Sequence, residues 1–548
     1  MIENIQDENL AKQDLRDQER LAQMRAAWEP SWQEIDERFP ATAGFTHHTP
    51  GQIRGARNFD SQHILSLHKF RAAGVAITTP EREEYIKPWF LDEDLNKLRS
   101  VQLWRDRAGR RMKAIRHAAH TGFNIASYED WDQLGRYGTS AVWQEAGPRG
   151  MRYRCLPLRE VYIDVDAAGL VDRVHRKFEL TARQCEQEFG IDALTPKMRD
   201  ALDPARKKEN DKFEILHVVC PNTSWDRDRL DHLRFPVASR YLAMDEKIYV
   251  RRKGYRTMPV SVSRHSTSPG EIYGRSPAFD VMPNIQTLNA MKHTTLRAGH
   301  KAVDPALAFH HDSGAVRLAS KPGGLSPGMV DENGRLLVHR MPGGENGIPY
   351  AMELMEQEKD PIRVSFLEEF YKILTDPNSR MTTTEVLEVM SKQGILVRPF
   401  ASRYETEKQD PMSQRDLELM LSAEQVEEFP AEVREAGDWP MIAYENPLAA
   451  MARAESTAKS MRFVEYATSV TALEQTTAGK YVDVGEMLLG GAEEIGVRPS
   501  YIRSREDVQA AEDAEAEQAA MAAQAEQLEK IAGASKDLAQ AGSYGDAV

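Results

Sequence analysis

The chain has 548 residues, of which 71 are basic and 85 acidic, so its formal net charge is −14. This acidic balance excludes a general DNA-coating protein, because such proteins carry net positive charge to neutralise phosphates. The length predicts two to four domains. Three cysteines without CxxC spacing argue against a disulfide framework or a zinc site and fit a reducing cytoplasm. No apolar run approaches the roughly 20 residues that a membrane helix needs, and the charged N-terminus is not a signal peptide.

The N-terminal half is predicted to pass from helices to short strands. Helices are expected over three segments: 2–38, 61–75 and 92–136. Pro30 is expected to interrupt the first of them. From residue 139 to 268, short apolar runs separated by turn residues predict a mixed α/β block. Within it, Thr181 is expected to cap a short helix that ends at Phe189.

An unusual window follows this block. From Val281 to Val303 the chain contains no Asp or Glu, although it carries Lys292, Arg297 and Lys301 there. A helix is predicted over 278–303. Three interpretations stand: chance together with a buried face, a helix close to phosphates, or a helix that pairs with acidic residues elsewhere.

The remaining C-terminal half alternates between turn-rich and helical stretches. Pro and Gly dominate 304–350, which predicts a compact segment with short strands. Helices are then predicted over three segments: about 352–374 with an excess of acids, 382–427, and 446–489. Gly394, Pro399 and Pro411 are expected to break or kink the second of these helices. The Ala-, Gln- and Glu-rich stretch 505–541 predicts either a bundled helix or a solvated tail.

Two motifs resemble enzyme signatures but are better explained as turns or loops. Gly324 to Gly328 matches G-x-S-x-G, yet Pro327 follows the serine and has no N–H for an oxyanion hole. His310, His311 and Asp312 are consecutive, so on an extended segment their side chains cannot converge on one metal ion.

Two further signals concern ions and nucleotides. Asp164 and Asp166 end a predicted strand before Gly169 and could ligate a divalent ion, although a turn with Asx hydrogen bonds needs no further partners. The only Gly-Lys pair, at Gly479, is followed by Tyr481, which excludes a phosphate-binding G-x-x-x-x-G-K-[ST] loop.

Several short segments, weak individually, form a series whose number and order are specific. They are WEPSWQEI at 28–35, FDS at 59–61, LGRYGT at 134–139, FELTARQ at 178–184, PGEIYGRSPAFDVMPNIQTLNAM and TTLRAGHKAVDP within 269–305, MTTTEV at 381–386, and YENPLA at 444–449. In this order the chain resembles the portal proteins, or head-to-tail connectors, of short-tailed bacteriophages.

The resemblance implies a predominantly helical α+β subunit of the portal type, usually one of twelve in a ring at a capsid vertex. In chain order the implied regions are a wing of N-terminal helices and α/β block (1–277), a first stem helix (278–303), a clip (304–350), a second stem helix (351–374), a tunnel loop (375–382), the long wing helix (383–445), a crown (446–504), and an Ala/Gln-rich helical barrel or flexible tail (505–548).

The resemblance also implies a function, namely a channel for DNA packaging and ejection and a docking platform for the packaging motor and the tail. The residues expected to line the DNA channel are Lys292, Arg297, Lys301 and Arg380, and those of the tunnel loop are Asp376, Pro377, Asn378, Ser379 and Met381. The expected partners are double-stranded DNA held weakly, the terminase motor, a tail adaptor, the major capsid protein and a scaffold. No cofactor, metal or membrane is expected, and the protein would assemble in the host cytoplasm and reside in the virion.

Two alternatives from other functional classes remain open at this point. One is a metal-dependent nuclease or DNA-processing enzyme that uses Asp164 and Asp166. The other is a scaffold or adaptor protein that does not form a ring.

Overall fold

A computed structural model describes residues 2–39, 45, 58–81, 83–147, 150–203, 208–226, 228–229, 231–309, 329–330, 332–341, 347–368, 401–444, 508–511, 513–522 and 524. The chain divides into two compact units. The first consists of Met1–Ile86, Arg110–Val426 and Met441–Leu448, and the second of Lys87–Gly109, Glu427–Pro440 and Ala449–Val548.

Helices and strands both occur along the chain. The helices are α1 (Ile2–Ala26), α2 (Glu29–Arg38), α3 (Gln62–Thr78), α4 (Glu93–Lys97), α5 (Arg99–Arg116), α6 (Phe123–Tyr137), α7 (Ala182–Phe189), α8 (Pro196–Ala201), α9 (Pro277–Asp280), α10 (Met282–Val303), α11 (Ile348–Ser365), α12 (Asp410–Ser422) and α13 (Ala431–Ala436). The strands are β1 (Ile86–Trp89), β2 (Thr139–Gly147), β3 (Gly150–Leu156), β4 (Val161–Val165), β5 (Val171–Thr181), β6 (Lys212–Pro221), β7 (Val237–Ala243), β8 (Ile248–Tyr255), β9 (Val260–Arg264), β10 (Leu307–Phe309), β11 (Val338–Arg340) and β12 (Met441–Tyr444). Residues 508–511 and 513–522 are also helical.

The predicted N-terminal helix is interrupted, but two residues earlier than Pro30. The chain turns at Ala27 and Trp28, and α2 starts at Glu29 with Pro30 in its first turn. The first N–H groups of a helix have no intrahelical acceptor, so a proline costs no hydrogen bond there.

Helices α3 and α6 pack so closely that two positions require glycine. A Cβ added at Gly74 would lie 2.2 Å from Trp131, and one added at Gly135 would lie 2.5 Å from Leu67. Real Cβ atoms do not approach other atoms so closely, so the small residues set the distance between the two helices.

The predicted α/β block forms two antiparallel sheets in the first unit. One has five strands in the order β4-β5-β6-β7-β8, and the other has three in the order β3-β2-β9. Because side chains alternate along a strand, β6 uses Leu216, Val218 and Cys220 to pack with Ala11 of α1. Ile215 of the same strand packs with residues of α7 and α8, including Cys185.

Thr181 is confirmed as the N-cap of α7, where it forms a capping box. Its hydroxyl accepts the amide hydrogen of Gln184 at 3.3 Å, and the Gln184 side-chain oxygen accepts the Thr181 amide hydrogen at 2.9 Å. Two N–H groups that the helix cannot satisfy itself are thereby satisfied.

The helix predicted over 278–303 is instead two helices. Helix α9 is capped by Ser276, whose hydroxyl accepts the Phe279 amide hydrogen at 2.9 Å, and α10 begins only after Val281. Pro283 explains the break, because it has no N–H to donate to the carbonyl of Phe279 four residues earlier.

The acidic helix predicted over 352–374 starts four residues earlier, and residues 369–374 of that prediction lie outside the described part of the chain. Helix α11 spans Ile348–Ser365, and Leu367 just beyond it has a left-handed backbone with φ of 54°. A residue with a left-handed backbone cannot continue a right-handed helix, so α11 stops before Leu367. Between α10 and α11, β10 and β11 pair antiparallel, which agrees with the short strands predicted in this segment.

The helix predicted over 382–427 is described only from residue 401 and ends at Ser422. It contains a π-helical turn at Glu405–Gln409, directly before Pro411. A change of helix type thus precedes Pro411, where a break or kink was predicted. The kinks expected at Gly394 and Pro399 lie outside the described residues.

The second unit holds a small aromatic cluster. The ring of Trp104 lies 6.0 Å from that of Phe90 and 5.0 Å from that of Phe429, while Phe429 lies 5.6 Å from Trp439. The Trp104 indole N–H donates to the carbonyl of Glu427 at 2.9 Å, so the buried ring keeps its polar group satisfied.

Candidate nucleic-acid interface

Helices α10 and α11 form an antiparallel hairpin. Asn284 near the start of α10 donates to Glu358 of α11 at 3.0 Å, and β10 and β11 pair beyond the other ends of the two helices. Strands β10 and β11 therefore lie at the end of the hairpin that is away from Asn284.

The hairpin is buried at one end only. Ile285 and Leu288 of α10 and Ile362 of α11 belong to the main hydrophobic core of the first unit. At the opposite end Val303 is 88% exposed and Tyr350 is 66% exposed. These two side chains are exposed at the end of the hairpin that is away from the core.

One side of α10 follows an alternating four- and three-residue spacing. The residues at these positions, all buried or half-buried, are Val281, Ile285, Leu288, Lys292, Thr295, Gly299 and Ala302. Such spacing keeps one stripe of a helix against its neighbour. Lys292 lies in this stripe, and Gly299 lies farther along it, where an added Cβ would meet no described atom within 4 Å.

The three basic residues of α10 that were predicted to line the DNA channel together lie on two different sides of the helix. Arg297 and Lys301 are both exposed and four residues apart, so they lie on the same face of α10 one turn from each other. At about 100° per residue, Lys292 is about 140° around the helix from Arg297 and about 180° from Lys301. This difference in position around the helix follows from helical periodicity and could have been predicted from the sequence.

One flank of α10 is occupied by a residue that the sequence did not assign to it. The ring of Phe59 lies 4.5 Å from that of His293, and the Asn289 side-chain oxygen accepts the Phe59 amide hydrogen at 2.6 Å. His293 itself is exposed on its other sides. This contact between residues far apart in the chain had no signal in the local sequence.

Most acidic groups of α11 have partners within the chain. Glu356 pairs with Lys359 at 2.9 Å and with Arg363 at 2.7 Å, while Asp360 pairs with Arg363 at 3.0 Å. These hydrogen bonds lower the pKa of Glu356.

Glu358 in α11 and Glu368 just beyond its end also have partners. Glu358 accepts a hydrogen bond from Asn284, and Glu368 is bonded by Ser66 at 3.0 Å and by Lys69. Within the described part of the chain, neither Arg297 nor Lys301 forms an ion pair.

Asp164 and Asp166 are engaged in local structure. One carboxylate oxygen of Asp166 accepts the amide hydrogens of Ala168 at 2.8 Å and Leu170 at 2.9 Å, which is the hydrogen-bonding of an Asx turn. Asp164 pairs with Arg20 of α1 at 2.5 Å. Over the described ranges, no group of three or more His, Cys, Asp or Glu side chains is arranged to hold a metal ion.

Several candidate residues lie outside the described part of the chain. They are Arg380 and the loop residues Asp376, Pro377, Asn378, Ser379 and Met381, together with the motifs at 310–312 and 324–328. Among the helices that are described, none combines the length and the apolar character required to cross a membrane.

Comparison with known proteins places these features in a family. The family model described as bacteriophage head to tail connecting protein matches residues 12–502. A probable portal protein of Bordetella phage BPP-1 is 25% identical over 504 residues, which cover 87% of this chain and 86% of the relative. A portal protein of Salmonella phage epsilon15 is 22% identical over 464 residues, covering 80% and 78% respectively. A solved structure titled "Neck of empty GTA particle computed with C6 symmetry" aligns with 73% of this chain and 86% of its own, at 12% identity and a TM-score of 0.36.

Proposed function

The chain belongs to the bacteriophage head to tail connecting protein family, and from that membership we propose that it forms a ring at one vertex of a phage capsid, through which DNA enters and leaves. Both curated relatives are named as portal proteins. The family consists of structural proteins, so the alternative function as a metal-dependent nuclease has no support. The turn hydrogen bonds of Asp166 agree with that conclusion.

The observation that carries the DNA contact is the exposed, acid-free face of α10. Arg297 and Lys301 lie on it without a partner among the described residues, whereas the acids of α11 are mostly neutralised by neighbours. The 22 residues of α10 extend about 33 Å at about 1.5 Å per residue, close to one turn of B-DNA. Copies arranged around an axis would therefore present stacked rings of positive charge.

Weak binding suits this role better than tight binding. Each subunit has a formal net charge of −14, so a ring would repel phosphates over most of its surface and attract them only at a few cationic positions. Binding through few phosphate contacts is weak and strongly dependent on salt. Such a surface lets DNA slide, which a packaging channel requires.

Lys292 has a different role in this proposal. Because it is half-buried and lies about 180° around α10 from Lys301, we assign it to packing of the hairpin or to a contact with a neighbouring subunit. Arg380 and the loop 375–382 are proposed to contact DNA on the strength of the family resemblance alone.

The remaining parts of the function are also proposals that rest on the family. The hairpin would be the stem of a twelve-subunit ring, and the segment between its helices would be the clip that binds the terminase motor and then the tail adaptor. The α/β block with the N-terminal helices would form the wing, which faces the major capsid protein and the scaffold. The ring would assemble in the host cytoplasm and remain in the virion.

The first test is the native mass of the purified protein together with particle images. A ring of about twelve copies with a central opening wide enough for duplex DNA is the expected result. A monomer or dimer at all concentrations and salt conditions would contradict ring formation and would favour the scaffold or adaptor alternative.

The second test addresses the DNA contact in rings that have formed. We compare Arg297→Gln/Lys301→Gln with a matched control, Arg252→Gln/Lys253→Gln, which also removes two exposed positive charges, from strand β8. The dependence of duplex DNA affinity on salt concentration should become shallower in the first variant only, since fewer counterions are released. Equal slopes in both variants would show that α10 does not contact phosphates.

A further inference from the structure

The helix that leads into α12 contains one turn of a rare type. In Glu405–Gln409 the backbone is π-helical, and the Asp410 amide donates to the carbonyl of Glu405, five residues earlier. Pro411 is one cause, because it has no N–H for the carbonyl of Glu407 and so interrupts the α-helical hydrogen-bond ladder. Single π-helical turns within helices frequently mark functional positions.

The wide turn directs three consecutive side chains into the interior. Their partners come from three different elements: Glu407 pairs with Arg264 of β9 at 2.6 Å, Lys408 pairs with Asp130 of α6 at 2.8 Å, and Gln409 donates to the carbonyl of Thr78 of α3 at 2.7 Å. In an α-helix three consecutive side chains spread over about 200°. The smaller rotation per residue of a π-turn keeps all three on the buried side.

The Lys408 contact is deeply buried. The side chains of Lys408 and Asp130 are 3% and 0% exposed, and Tyr404 also donates to Asp130 at 3.0 Å. A buried charge requires its partner, so the π-turn and this ion pair depend on each other. A cavity large enough for about one water molecule adjoins Lys408 and Gln409, which leaves space for these side chains to move.

We propose that Glu405–Gln409 is a latched joint with two registers, and that the Glu407–Arg264 and Lys408–Asp130 ion pairs are its latch. In the released register the turn is α-helical, with a kink at Pro411. Residues 401–404 then rotate by about 100° and shift by about 1.5 Å relative to α12. The latch thus sets the orientation of residues 401–404 relative to α12.

The test uses the full-length chain with spin labels at two exposed positions on either side of the joint, Ser402→Cys and Ser422→Cys. The native cysteines, Cys155, Cys185 and Cys220, are buried and so are protected from labelling. Electron–electron distance measurements then report the register. In the parent chain one distance is expected.

The informative variant is Asp130→Asn/Lys408→Met, which removes both charges and leaves neither of them buried alone. A second distance should appear, and amide exchange across 405–410 should accelerate roughly tenfold or more. The single Lys408→Met variant should show the same changes to a larger extent. Thr406→Ala is the matched control, because Thr406 lies in the same turn but is exposed, and its hydroxyl donates to the Ser402 carbonyl within the same helix.

Two results would overturn the proposal. One is a single unchanged distance and unchanged exchange in the double variant, which would show that the turn holds its register without the ion pair. The other is an equal second distance in Thr406→Ala, which would show that any change in the turn releases it.

Discussion

Replacing Arg116 by methionine tests how strongly the buried charges of the first unit stabilise it. The side chains of Arg116 and Asp416 are 1% and 0% exposed, and the guanidinium donates to one carboxylate oxygen at 2.8 and 2.5 Å. The other oxygen accepts from Tyr153 at 2.6 Å and from Gln144. Arg116→Met leaves the Asp416 carboxylate buried with hydrogen bonds but without its positive partner.

The expected loss is about 3–5 kcal/mol in the free energy of unfolding, the usual cost of breaking a buried ion pair on one side. The double variant Arg116→Met/Asp416→Leu should lose less, because no charge remains buried alone. It will not reach the stability of the parent chain, because the buried Tyr153 hydroxyl then lacks its carboxylate acceptor, at a cost of about 1–3 kcal/mol. Gln144 loses one of its two acceptors and keeps its hydrogen bond to the Met412 carbonyl.

The measurement is urea-induced unfolding of both variants and of a control, Arg107→Met. Arg107 pairs with Glu427 in the second unit, where the two side chains are 53% and 59% exposed, and such exposed pairs contribute at most about 1 kcal/mol. If Arg116→Met costs no more than Arg107→Met, or if the double variant is less stable than the single one, the reasoning from burial is wrong.

Three further predictions follow from the described contacts. Gly74→Ala should reduce the free energy of unfolding by about 1–3 kcal/mol or more, because its Cβ would lie 2.2 Å from Trp131; an unchanged urea midpoint would contradict this. Burial lowers the pKa of His175 to about 3 and that of His265 to about 4, so the unfolded chain binds more protons between pH 6.5 and about 4. The free energy of unfolding should therefore fall as the pH falls through that window, by about 1.4 kcal/mol per pH unit for each of the two histidines. In His175→Gln the free energy of unfolding, measured by urea denaturation at several pH values, should depend less steeply on pH. Thr181→Ala should cost about 1 kcal/mol by removing the N-cap of α7, measured as a lower melting temperature with Thr181→Ser as the conservative control.

The strands of the first unit were predictable because their signal is local. Short apolar runs separated by turn residues predicted strands between residues 139 and 268, and β2 to β9 lie there. The cap at Thr181 was predictable for the same reason, since it depends on a residue three positions away. The order of the strands in the sheets could not be read from these patterns, because pairing joins residues far apart in the chain.

Prolines in the sequence indicated where helices are irregular, but not which kind of irregularity forms. Pro30 was expected to break a helix but lies within the first turn of α2. Pro283, which was not used in the prediction, separates α9 from α10. Pro411 was expected to produce a kink and is preceded by a π-turn. In each case the missing N–H is a property of the sequence, while its consequence depends on which carbonyl lies nearby.

By itself, the sequence determined the acidic net charge, the types of most elements, the acid-free window and the family resemblance, which the family model confirms. Only the tertiary structure decided which charges are neutralised. Arg116 pairs with Asp416, 300 residues later, and Lys292 is half-buried while Arg297 is exposed. The physical reason is that the strength of a charge interaction depends on distance and burial. Both quantities are set by packing between distant segments, which no local pattern in the chain encodes.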